Sequence, residues 1–158
     1  MIETRLLLAA DDLCRSTGGR PRDAFMRRAV STAYYALFHA LARVCADELV
    51  GRTHTKTSAY ARVYRALDHG AARRAFRSPE ASALGAAVSH VGLAFVELQQ
   101  ERHRADYDPS PFGHMYDETR AAVAKAREAI ALVSALEPDV RRALATLILF
   151  KARDRNDR

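Results

Sequence analysis

The sequence predicts an all-α fold, and three observations carry that expectation. No stretch shows sustained alternation of apolar and polar residues bounded by turns, whereas apolar residues recur three and four apart along most of the chain. The interruptions fall at Gly, Pro, Asp and hydroxyl residues, which are the usual ends of helices. The chain has 158 residues, enough for one buried core without disulfides or metal. We therefore expect a single helical bundle over residues 1–152, with four to five main helices, a short C-terminal helix and a frayed charged tail at 153–158.

A first helix is expected from Ile2 to Arg15, with Leu6, Ala9, Ala10 and Leu13 on its core face. It stops at Ser16-Thr17-Gly18-Gly19 ahead of Pro21. A long second helix starts near Pro21 or Asp23 and runs to about Val50. Its stripe is Met26, Val30, Tyr34, Leu37, Leu41 and Val44, and Gly51 ends it. The third helix opens near Thr53 or Thr55, either of which offers a capping hydroxyl. It carries Tyr60, Val63, Tyr64 and Leu67 and stops at Asp68-His69-Gly70. Residues 71–78 read as a connector. Ser78-Pro79-Glu80 then supplies a cap and a first-turn proline for a fourth helix to about Arg104, striped by Leu84, Val88, Val91, Phe95 and Leu98. Pro109, Pro111 and Gly113 make 108–115 a loop. A fifth helix spans about Asp117 to Leu136, Glu137-Pro138 interrupts, and a last helix covers about Asp139 to Ala152.

The formal charge is +6, from 25 Lys+Arg against 19 Asp+Glu. Only Lys56, Lys125 and Lys151 are lysines, so the positive charge is almost entirely guanidinium, which suits bidentate contacts with phosphate or carboxylate. A GC-rich genome would produce the same excess of arginine and alanine, so charge makes nucleic acid a candidate partner and no more. Cys14 and Cys45 show no Cys-x-x-Cys spacing and read as buried thiols. The brief apolar run Leu6 to Ala10, preceded by Glu3 and followed by two aspartates, does not form a signal peptide. Ala143 to Phe150 falls far short of the roughly 20 residues that span a bilayer. A cytoplasmic protein without membrane contact is expected.

Two segments carry more chemistry than the rest. In the second helix Arg28, Tyr35 and His39 share a face beside the core stripe, at spacings of seven and four. They either pack their rings and serve dimer contacts, or line a cleft with a hydroxyl and an imidazole. Asp23 and Arg27 stand in the favourable order for a surface ion pair. At the end of the fourth helix Arg102 and Asp106 are likewise four apart, followed by Tyr107, Asp108 and Pro109. One reading is architectural: arginines answer the helix dipole, Tyr107 anchors the last turn in the core and Asp108-Pro109 stops the helix. The other makes Arg102 and Arg104 a phosphate-binding edge beside a hydroxyl and two carboxylates.

The strings STAYYALFHA (31–40), THTKTSAYARVYRAL (53–67) and RHRADYDP (102–109) occur in that order. Together they resemble the HEPN family, in particular its small stand-alone prokaryotic members, over roughly Asp23 to Leu136. The resemblance implies a helical bundle that dimerises and brings the arginine-bearing helix ends of two subunits into one cleft. It also implies a metal-independent ribonuclease of toxin–antitoxin or defence type, without a cofactor, paired with a small nucleotidyltransferase as antitoxin. By that resemblance Arg102, Asp106 and Tyr107 would be catalytic, and Arg104, Arg28, Tyr35, His39 and His54 would bind nucleic acid or nucleotide.

The chain departs from the family's usual motif, Arg followed after four to six residues by His. Counted from Arg102 those positions are Tyr107 to Pro109, and from Arg104 they are Pro109 to Pro111. Cleaving RNA without metal needs a group to take the 2′-hydroxyl proton and one to protonate the leaving oxygen. Histidine suits both tasks, whereas a tyrosine near its ordinary pKa of about 10 is a poor base. His103, His54, His39 and His114 are the candidate substitutes, although His103 points about 100° away from Arg102 around the helix. No His-x-x-x-His or His-Glu-x-x-His spacing points to metal, and Asp68-His69 is too short to count. Ser31, Ser58 and Ser89 lack a base to activate them, and Gly18 to Arg22 lacks phosphate-loop spacing. Three functions remain open: an RNA-directed ribonuclease, a non-catalytic HEPN dimer that binds RNA, nucleotide or a nucleotidyltransferase, and a purely interactional helical protein.

Overall fold

The structure, a computed structural model, describes residues 1–15, 22–112 and 116–150. Its elements are α1 (Ile2–Arg15), α2 (Arg22–Leu49), a 3-10 turn (Arg52–His54), α3 (Ser58–Ala66), α4 (His69–Phe76), α5 (Pro79–Ala83), α6 (Ala86–Tyr107), α7 (Tyr116–Ala135) and α8 (Pro138–Leu149). The protein is all-helical, and no strand occurs among the described residues.

The long α2 is the axis of the bundle. It packs against α1, α3, α6, α7 and α8, so it is apolar around most of its circumference. Met26, Val30, Tyr34, Leu37, Leu41 and Val44 are all buried, as the spacing predicts. The alanines between them, including Ala29, Ala33, Ala36 and Ala40, are buried too and let the neighbouring helices approach closely. Gly51 follows at φ 110°, a left-handed conformation that favours glycine, and ends the segment. Cys14 and Cys45 are buried free thiols. Among the described residues no helix is long and apolar enough to cross a membrane.

Four boundaries or faces differ from the sequence expectation. The buried face of α1 is Glu3, Leu7, Ala10 and Cys14, one residue out of step with the expected stripe. A carboxylate sets that register: Glu3 is 2% exposed and accepts a hydrogen bond from Arg43 Nε at 2.8 Å. The third helix does not start at Thr53 or Thr55. Thr57 caps it instead, its hydroxyl accepting from the Tyr60 amide at 3.2 Å. The expected connector after Gly70 is helix α4, capped by Asp68, whose carboxylate accepts from the Ala71 amide at 2.7 Å. Ser78 does cap a helix, with Pro79 in its first turn, but that helix is the short α5. Gly85 at φ 109° separates it from α6, so the fourth helix is two. The Ser16–Pro21 stop, residues 113–115 with His114, and the tail from 151 onward lie outside the described residues.

The short α4 matters most for function. Its buried Ala72 and Phe76 hold it against α6, where the Phe76 and Phe95 ring centroids are 5.3 Å apart. Gly92 of α6 lies under Phe76, leaving room for the ring where a side chain would collide. This close approach sets the first turn of α4 beside the last turns of α6.

Candidate anion-binding groove between α4 and α6

Arg102 is the centre of the site. Its position on α6 turns the guanidinium inward over α2, and its side chain is 13% exposed. The guanidinium carbon lies 5.4 Å from the Tyr34 ring centroid, 5.7 Å from Tyr35 and 5.8 Å from Tyr107, so three tyrosines surround one cation. The expected pair with Asp106 forms at 3.4 Å. Ser31 of α2 donates to the same carboxylate oxygen at 3.3 Å and fixes it from the other side. Arg102 Nε is buried without a hydrogen-bond partner among the described residues.

Beside it runs an open groove of about 540 Å³, lined by Gly70 and Arg73 of α4 and by Gln99, Arg102, His103 and Arg104 of α6. The three arginines face it with no carboxylate among the lining residues, which is the charge pattern of a phosphate receptor. Tyr107 lies one turn beyond His103 on α6, outside the lining. The ring is 65% exposed, 4.9 Å from that of His103. The expectation that Tyr107 anchors the last turn in the core is overturned: Ala105 takes that buried position, and the tyrosine ring is an open stacking surface.

The exit of α6 is held by a residue that the sequence reading placed in a simple surface pair. Arg27 does bind Asp23, at 2.9 Å. Its other nitrogens cross to α6 and donate to the carbonyls of Ala105 at 3.0 Å, Asp108 at 2.8 Å and Ser110 at 2.5 Å. These include carbonyls that a helix C-terminus leaves unpaired, and the positive charge answers the negative end of the dipole. Phe112 covers the guanidinium at 4.9 Å, and its amide donates to Asp23 at 3.2 Å. Arg27 thus fixes the turn that presents Arg102, Asp106 and Tyr107.

A histidine missing from the expected set stands in the same place. His69, the first residue of α4, has Nδ1 2.5 Å from the Tyr34 hydroxyl, and its ring stacks on Phe38 at 4.0 Å between centroids. Its carbonyl accepts from Gln99 Nε2 at 3.1 Å. Burial and the nearby Arg102 charge push the imidazole below its ordinary pKa, against Asp68, which raises it. Burial drives the Tyr34 phenol far above its usual range, so it keeps its proton. The clue in the sequence was Asp68 as a cap ahead of Ala72 and Phe76, four apart, which together mark a helix with His69 at its start.

The remaining candidates are dispersed. Tyr35 joins Arg102, and Arg104 lines the groove. His39 pairs with the Tyr64 hydroxyl of α3 at 2.7 Å, and burial lowers its pKa. His54 is exposed in the 3-10 turn, with Nδ1 3.2 Å from the Thr53 hydroxyl. Arg28 stands exposed on α2. Among the described residues no group of three or more His, Cys, Asp or Glu side chains is placed to hold a metal. Comparisons with family models, with curated proteins and with solved structures return no match.

Proposed function

We propose that the chain is an RNA-directed protein of HEPN type whose α4–α6 groove holds RNA phosphates, with metal-independent cleavage as its activity. The observation that supports this reading is Arg102: a cation set on tyrosine rings, lining a groove that Arg73 and Arg104 also line. Phosphates fit the arginines, and the Tyr107–His103 face offers a stacking surface for a base, the combination that holds single-stranded nucleic acid. A second copy of the chain, and a nucleotidyltransferase as the silencing partner, belong to the same proposal. The absence of a histidine at the spaced positions after Arg102, where Tyr107, Asp108 and Pro109 stand, favours a second reading, a dimer that binds RNA, nucleotide or that partner without cutting.

The test is binding of a labelled single-stranded RNA by the full chain across a salt series, beside Arg102→Ala and Arg73→Ala. Each phosphate contact contributes about 0.7 to the slope of log affinity against log salt for a single strand. Each variant should weaken binding and reduce that slope by about one contact. Binding equal to the parent in both variants places RNA elsewhere. A parent that ignores RNA at low salt supports the purely interactional alternative.

A further inference from the structure

We infer that His69 is the proton-transfer residue of this groove, supplied by α4 where no histidine stands four to six residues beyond Arg102, and that it acts on the 2′-hydroxyl of bound RNA. The inference rests on the RNA-directed reading above and adds a catalytic residue to it.

The geometry fixes His69 on three sides. Its ring is stacked on Phe38, its Nδ1 meets the Tyr34 hydroxyl, and its carbonyl is tied to Gln99. The same Tyr34 ring lies beneath Arg102, so cation and imidazole are set on one buried platform. His69 is not itself among the lining residues, but Gly70, the next residue, lines the groove with Gln99 and Arg102, which sets the start of α4 at its edge. With Nδ1 committed to Tyr34, Nε2 is the nitrogen left for substrate. For Nε2 to accept a proton the neutral ring carries its hydrogen on Nδ1, and the Tyr34 oxygen accepts from that N–H in both the neutral and the protonated ring. Nε2 can therefore gain or lose a proton without disturbing the Tyr34 contact.

The titratable and charged groups around the imidazole are Tyr34, Tyr35 and His39 of α2, Arg102 of α6, and Asp68 at its own cap. Burial and Arg102 together keep the ring neutral at pH 7, the state that accepts a proton.

In the reaction Nε2 takes the 2′-hydroxyl proton as the 2′-oxygen bonds to the adjacent phosphorus. The bond from phosphorus to the 5′-oxygen breaks, and that oxygen leaves as an alcohol after receiving a proton from the imidazolium, directly or through water. Arg102 and Arg104 hold the charge that grows on the phosphoryl oxygens. The products are a 2′,3′-cyclic phosphate and a 5′-hydroxyl end. The proton lost by one oxygen is gained by the other, so no co-reactant is required.

The experiment is single-turnover cleavage of end-labelled single-stranded RNA in chelator by the full chain and by His69→Gln, with RNA binding and melting measured on both. Glutamine keeps a hydrogen-bonding group for Tyr34 and loses the titration. The variant should cleave about 100-fold more slowly with RNA binding unchanged. The parent's rate should rise with pH through a midpoint below the ordinary histidine value of about 6.5 and then level off. Cleavage by His69→Gln at the parent's rate overturns the inference and leaves RNA as the ligand. So does a flat parental profile from about pH 5 to 8, a measurement that holds even if the variant fails to fold. A parent that binds RNA without cutting also overturns it, while a parent that neither binds nor cuts overturns the RNA reading with it.

Discussion

Substituting Gly92 by alanine is expected to lower the melting temperature by roughly 2–10 °C, from about 1–3 kcal/mol of overpacking in a chain of this size. The added Cβ would lie 2.8 Å from Phe76 Cδ1, 3.1 Å from Phe76 Cβ and 3.2 Å from Phe76 Cγ. Phe76 Cβ is fixed by the backbone, so a change of rotamer does not clear that contact and α4 must move away from α6. The ring cannot yield sideways either, because Phe95 packs against it. Displacing α4 carries His69 and Arg73 away from Arg102, so RNA binding should weaken along with stability. Phe76→Leu in the Gly92→Ala background should recover part of the loss, although Phe76→Leu alone is destabilising. That non-additivity, read from thermal melts of the four proteins, identifies the contact as the cause. A Gly92→Ala protein that melts with the parent would contradict the packing described for the two helices.

Substituting Arg27 by alanine is the second large effect. The side chain, 18% exposed, joins Asp23 of its own helix to four backbone carbonyls at and just beyond the end of α6. Hydrogen bonds from a charged donor contribute about 1.5–3 kcal/mol each and are not additive, so a loss on the order of 3 kcal/mol is expected for the set. Arg27→Lys should rescue little of it, because an ammonium keeps the charge but cannot reproduce the planar fork that reaches several carbonyls at once. The loss should be local as well as global: amides of the last turn of α6 and of 108–112 should exchange faster than those of α7 or α8. Equal stability of the lysine variant and the parent would reduce Arg27 to a point charge at a helix dipole.

These two residues also mark the limits of what the sequence discloses. The course of α2, its buried stripe and the glycine that ends it follow from local spacing, as do the ion pairs Asp23–Arg27 and Arg102–Asp106. Each depends on residues within one or two turns. Interactions between distant segments are what local spacing leaves out. Glu3 occupies the core face of α1 because Arg43, on another helix, receives it, and no apolar count places a carboxylate there. The helix α4 has only Ala72 and Phe76 as buried anchors, too few to stand out from a connector. Gly85 breaks a stripe that otherwise continues from Leu84 to Val88. Tyr107 looks like an anchor by composition, yet its place on α6 turns it toward His103 and solvent. The meeting of His69 with Arg102 depends on both α4 and the Gly92 contact, so neither motif alone announces it.

On the proposed function, the groove between α4 and α6 is where RNA binds. Hydrogen–deuterium exchange of the full chain with and without a saturating single-stranded RNA tests it most directly. Binding in the groove should slow exchange at the first turns of α4, from His69 to Arg74, and at the end of α6, from Gln99 to Tyr107, with the other helices little changed. Protection confined instead to the separate cavity lined by Arg43, Arg52, Tyr60 and Arg141, or no protection at all, would contradict it.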